Sequence, residues 1–410
     1  MTEPAVTAGI LPASRVRLHD LQIGPDRGEW IVGRFPTRQF VALPEVGATV
    51  IGLLGEGFTI GQVTDRLATD TSVDFDVLSF VRDLVLLDFV AEIDGRPVPS
   101  GTPPPPSFPR LRPEHVRFAL SPVLPVLLGC LLLAAAGTML ARPGTIPRYR
   151  DLLWNPHGSV VLATAFLFCW SLVFLHELAH LVTARAAGVH ARIRIGTRLQ
   201  FLVLETDISG IELAPRRHRL TAYLAGIGVN LSAAATAVLL VAATGEDTVA
   251  HRFLKAAVLL ALLPLSFQLM VFMRTDVYFV LQDLFGCRDL FGDGRAYARY
   301  AGKRIWHMIS RSGHPPADPG IGLPRRERRA ARIYSAVLVA GTTICVAAAA
   351  AFTIPADVAL IVQAARRLNL GHPTVSTADG ALVILILGAV HTAWAVTWWH
   401  HRRTPAPELP

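Results

Sequence analysis

Polar and apolar positions divide the 410-residue chain into two unlike parts. Over the first hundred residues the pattern changes every few positions. Stretches 30–35 and 39–43 alternate as short strands around a turn at Pro36. Residues 46–54 read as a helix closed by Gly55 and Gly57. Thr59 and Gln62 have capping-box spacing, which predicts a second helix over 60–67. Residues 74–87 set Val77, Phe80, Val81, Leu84 and Val85 on one helical face, and 89–93 return as a strand. This order predicts a small soluble α+β domain of winged-helix type over residues 1–97.

Beyond it the pattern turns almost wholly apolar. Residues 97–113 contain eight prolines, four of them consecutive at 103–106, a composition that favours extended backbone and packs no core. The expected linker is 98–117. Six apolar segments follow, near 118–141, 158–184, 220–243, 253–273, 333–355 and 379–399. Each approaches or exceeds the roughly 20 residues that cross a bilayer as a helix. Residues 118–410 are therefore expected to form an all-α polytopic membrane domain. A hydrophobic share of 52% and a mean hydropathy of +0.43 exclude an ordinary soluble enzyme.

Charge adds orientation. The formal net charge is +8, and only Lys255 and Lys303 are lysines. Basic residues crowd into 185–219 and 274–332, with seven and twelve, against three, two and two in 142–157, 244–255 and 356–378. The positive-inside rule then places both chain ends in the cytoplasm of a multi-pass cell-membrane protein. Because the positive charge sits between apolar segments, a nucleic-acid partner is not expected. The start of the chain lacks a basic-then-apolar pattern, so no signal peptide is expected. The four cysteines have no CxxC spacing, which argues against a disulfide framework or a thiolate metal site.

Within the second apolar segment stands Phe174-Leu175-His176-Glu177-Leu178-Ala179-His180. His176 and His180 are four residues apart, so a helix stacks them on one face, where both imidazoles can bind one Zn2+. Glu177 is then placed to take a proton from a metal-activated water and return it to a leaving amine. A five-residue pattern is short, and its setting gives it weight. Each ionisable group inside a span costs about 3 kcal/mol on insertion scales, so three within five residues call for a function. A third ligand should follow near a helix end on the same side. Asp276, after the fourth apolar segment, satisfies this; Asp283 and Asp289 are neighbouring alternatives that also read as solvated helix ends.

With these residues in view, the chain resembles the site-2 protease family of intramembrane zinc proteases. The resemblance covers most of 118–300. It implies that His176, His180 and Asp276 hold zinc and that Glu177 is the base. Val277 stands where that family usually has glycine after the aspartate. The run Ala225-Gly226-Ile227-Gly228-Val229-Asn230 is similar to the family's glycine/asparagine motif, without its proline. Asn230 is expected either to bind the substrate backbone or to join helices. Residues 14–95 are similar to PqqD-like domains, which implies recognition of a precursor peptide.

Between the second and third segments, Val189, Ala191, Ile193 and Ile195 alternate with His190, Arg192 and Arg194, with Gly196-Thr197 as the expected turn of a β-hairpin. An extended substrate could add to its edge. The leading expectation is a zinc metalloendopeptidase that cleaves a peptide or membrane-associated protein near the cytoplasmic face. Alternatives are a non-catalytic membrane adaptor or peptide-export component, and an enzyme that releases a membrane-bound regulator.

Overall fold

The structure, a computed structural model, describes residues 9–26, 28–34, 37, 39–70, 75–100, 107–156, 158–198, 201–310, 316–355, 358, 361–362, 365 and 375–403. It forms two compact units. One comprises Met1–Ala119, Leu181–Arg192 and Asp207–Arg219; the other comprises Leu120–His180, Ile193–Thr206 and Leu220–Pro410.

The first unit contains strands β1 (Val16–Leu18), β2 (Gln22–Asp26), β3 (Glu29–Arg34) and β4 (Gln39–Leu43). Helices α1 (Glu45–Gly55), α2 (Ile60–Asp70) and α3 (Val77–Leu86) follow, then β5 (Val90–Ile93) and β6 (Arg96–Pro97). A short helix, α4 (Pro113–Val116), comes after the proline-rich stretch. β2, β3 and β4 form an antiparallel sheet with Val32 opposite both Ile23 and Val41. β1 and β6 flank β5 in a second sheet. The capping box is made as the spacing requires: the Thr59 N–H donates to Gln62 Oε1 at 3.0 Å and the Gln62 N–H to Thr59 Oγ1 at 3.3 Å. Val77, Val81 and Leu84 of α3 are buried with Val50, Leu54, Ile60 and Val63, while Phe80 and Val85 pack at the margin. Each such side chain contributes roughly 1.5–3 kcal/mol of burial.

Three strands escaped the sequence reading. β1 and β6 are short, and β2 carries Gly24 and Pro25, which weaken any strand signal. Pro25 is tolerated because β2 is an edge of its sheet.

The second unit is mainly helical. It contains α5 (Val123–Ala141) and most of α6 (Gly158–Ala186), then the two-stranded sheet of β7 (Arg192–Arg198) and β8 (Phe201–Asp207). Next come α7 (Arg216–Ala243), α8 (Val249–Gln268), α9 (Asp276–Phe285), α10 (Leu290–Ser310), α11 (Arg325–Ala348) and α12 (Val375–Arg403). Among the described residues, six helices are long and apolar enough to cross a membrane: Val123–Ala141, Ser159–Ala186, Arg216–Ala243, Val249–Gln268, Arg325–Ala351 and Gly380–Trp399. This is the makeup of a polytopic membrane protein. The interior of the helical part is built from small residues, Ala234, Ala235, Ala237, Ala257 and Ala261, with Leu172, Val238 and Val258. Small side chains let helix backbones approach closely where lipid already solvates the larger ones.

Among the boundaries that differ from expectation, two have a local reason. The fourth span stops at Gln268 instead of running on to 273, because the chain turns through a 3-10 segment and Arg274 takes a left-handed φ of 57°. The hairpin does not turn at Gly196-Thr197. β7 runs through both residues to Arg198, and β8 begins at Phe201. Gly196 is there for proximity: a Cβ on it would come 3.0 Å from a Glu205 carboxylate oxygen, on the strand that pairs with β7.

Candidate metal centre

The site is assembled from four helices, α6 to α9, and the break between the last two. α6 presents His176 and His180 one turn apart, with ring centroids 4.9 Å from each other. α9 begins at Asp276, and its carboxylate Oδ2 lies 2.9 Å from His176 Nε2 and 3.2 Å from His180 Nε2. Both histidines are buried, and the Asp276 side chain keeps 20% exposure, so the cluster has one open side. The three ligand atoms lie within 4.8 Å of one another. Asp289 and Asp283 are elsewhere. Asp289 accepts the Gly292 N–H at the start of α10, and Asp283 is buried on α9 rather than solvated.

The far side of each imidazole is committed. Asn230 of α7 donates from Nδ2 to the Ala261 carbonyl at 3.1 Å, which turns its Oδ1 toward His176 Nδ1 at 2.9 Å. An amide oxygen only accepts, so His176 carries its proton on Nδ1. His180 Nδ1 likewise faces a pure acceptor, the Ala222 carbonyl, at 2.7 Å. With the far nitrogens so engaged, both rings aim Nε2 at the same carboxylate oxygen. Three lone-pair donors facing one another repel unless a cation lies among them or the rings take up extra protons. Tetrahedral Zn2+ with bonds of about 2.0–2.1 Å separates its ligands by about 3.3 Å, close to the contacts present. The residues fit a divalent metal. Outer partners that fix the histidine tautomer are the usual accompaniment of such ligands.

Of the two roles expected of Asn230, its contacts match the one that joins helices. It is 1% exposed and joins α6 to α8 through its amide, so it orients His176. Gly226, one turn earlier on α7, makes room for the same ring. A Cβ there would fall 2.3 Å from His176 Nε2. Glu177 follows His176 on α6, and its carboxyl is close enough to both histidines and Asp276 to interact with them electrostatically. The Thr206 hydroxyl of β8 donates to the Glu177 carbonyl at 2.9 Å and reaches its carboxyl as well, so β8 lies beside the candidate base.

Three partners were missed in the sequence. Gln268 ends α8 and accepts the Asp276 N–H on Oε1 at 2.9 Å, while Thr275 Oγ1 donates to the Gln268 carbonyl at 2.8 Å. A lone amide at the end of an apolar span, eight residues before an aspartate, was the available signal. The Ala222 carbonyl and Thr206 had none, since backbone groups and hydroxyls take such roles only through tertiary placement. Of the remaining histidines, His251 Nδ1 lies 3.4 Å from Thr244 Oγ1 and His391 donates to the Leu387 carbonyl, both local contacts.

Comparisons with protein-family models, with curated proteins and with solved structures find no match.

Proposed function

We propose that the protein is a membrane-embedded zinc metalloendopeptidase of the site-2 protease type. The observation that carries this reading is the convergence of two imidazoles and one carboxylate on a single point, each ring held from its far side, with a glutamate beside them on the same helix. His176, His180 and Asp276 would hold the ion, and Asn230, Ala222 and Gln268 would hold those ligands in place. A bound Zn2+ supplies Lewis acidity, polarising a scissile carbonyl and acidifying water. Glu177 takes the proton from the attacking water and delivers it to the leaving amine, a task worth roughly 10²–10⁴-fold in rate. The open side of Asp276 admits water and peptide. β8, beside Glu177 through Thr206, offers a strand along which an extended peptide exposes its carbonyls to attack.

The substrate is a peptide or membrane-associated protein, cut near the cytoplasmic face and gathered by the N-terminal domain, with maturation of a ribosomally made peptide as the favoured task. Two imidazoles and a carboxylate also suit Fe2+, so metal analysis of the purified protein comes first. Stoichiometric zinc that is lost in His176→Ala supports the enzyme; metal-free protein supports an adaptor. Cells carrying Glu177→Gln should then accumulate uncut precursor while the protein retains zinc. Identical peptide products in the two strains would overturn proteolysis.

A further inference from the structure

We propose that Asp26 and Arg219 form a latch through which the N-terminal sheet sets the position of His180; this rests on the metal centre proposed above. The first turn of α7 reads Arg216-Arg217-His218-Arg219 and contains no acidic residue. Cations at a helix N-terminus oppose the helix dipole, so this turn is poorly stabilised by its own sequence. The compensation comes from far away in the chain. Arg219 is 8% exposed, and its Nη1 lies 3.3 Å from Asp26 Oδ1 at the end of β2. The same nitrogen donates to the carbonyls of Glu212 at 3.0 Å and Ala214 at 3.4 Å, the backbone leading into α7. β2 also packs against the Leu213 side chain of that segment, since a Cβ on Gly24 would come 3.2 Å from its Cδ2.

Arg219 stands three residues before Ala222 on one continuous helix, and the Ala222 carbonyl is the acceptor that fixes the His180 ring. Helix ends fray first, and the turn held by Arg219 is the one just before that carbonyl. Loss of the Asp26 charge loosens the turn, the Ala222 carbonyl drifts, and His180 loses its orientation. Arg219 and Asp26 are thus positioning residues: neither touches the ligand set, and a change in the N-terminal sheet is passed to it. Whatever shifts β2 regulates the metal centre.

The test uses the full-length protein in detergent, comparing wild type with Asp26→Asn, Asp26→Glu and Gly24→Val. The valine wedges β2 against Leu213 without altering any charge. Zinc affinity is read by chelator competition and ligand geometry by the absorption spectrum of the Co2+-loaded protein. Asp26→Asn and Gly24→Val are expected to weaken zinc binding roughly tenfold, the lower end of the range for outer partners of metal ligands, and to change the Co2+ spectrum. Asp26→Glu should keep both. Wild-type affinity and spectrum in Asp26→Asn and Gly24→Val would overturn the latch. A wild-type protein that binds no metal overturns the metal-centre reading instead. Amide exchange over 216–222 then decides the latch alone: faster exchange in Asp26→Asn supports it, and unchanged exchange removes it.

Discussion

The apolar stretches of spans α5 and α7 are alike in hydropathy and opposite in use. Their mean hydropathies are 2.3 and 2.0, yet 6% of the α5 window is buried against 39% of the α7 window. Leu133 and Leu140 on α5 are 75% and 83% exposed. On α7, Ala222, Gly226 and Asn230 line up at one-turn intervals, and all three serve the histidines of α6. Lipid is as apolar as leucine, so a span gains little from hiding leucines and can surrender its inner face to small and polar groups. Tolerance to substitution should therefore follow the neighbour of a residue and not its hydropathy.

Glycine gives the sharpest contrast. Gly226→Ala forces the His176 ring aside, although the ring is pinned by Asn230 and Asp276. Zinc affinity should fall roughly 10–100-fold, the scale of changes that misorient a ligand. Gly129→Ala on α5 meets nothing within 4 Å and should leave zinc binding alone, adding up to about 1 kcal/mol of helix stability. Equal effects of the two in chelator competition would break the comparison.

Asn230→Ala should weaken zinc binding about tenfold by removing the acceptor for His176 Nδ1, while the Ala261 carbonyl loses its donor. Leu133→Ala, at a site 75% exposed, should change thermal stability by no more than about 0.5 kcal/mol. An Asn230→Ala protein with parental zinc affinity would deny α7 its positioning role.

The smallest effect lies outside the spans, on α10. Burial, with Asp289 and Glu327 nearby, pushes the Asp293 carboxyl up to about 6 from an ordinary 3.8. The folded protein therefore holds this proton more tightly than the unfolded chain, and stability falls as pH rises from about 4 to 6. Asp293→Asn lacks that loss. Its melting temperature should match the parent below pH 4 and exceed it by a few degrees above pH 6. A constant difference across the range would show that the charge is not the cause.

Much of this was legible without coordinates. The histidines of α6 follow from helical spacing, Asp276 from its place after an apolar span, and the α2 capping box from Thr59 and Gln62. Such features are local, and backbone periodicity alone sets which side chains share a face. The hairpin turn was misread because Gly196 looks the same in a sequence whether it turns the chain or admits Glu205. Thr206 and the Ala222 carbonyl were invisible for a related reason, since a hydrogen-bond partner is defined by who arrives from elsewhere.

Sequence by itself therefore determined the approximate spans, the main helices of the N-terminal part and the identity of the candidate ligands, all of which depend on neighbours within a few residues. Only the tertiary structure decided which nitrogen of each histidine faces the carboxylate, that Asn230 orients a ring, and that Arg219 meets Asp26. Those facts rest on contacts between residues 42 to 193 positions apart. Periodicity carries no information about such pairs; packing does.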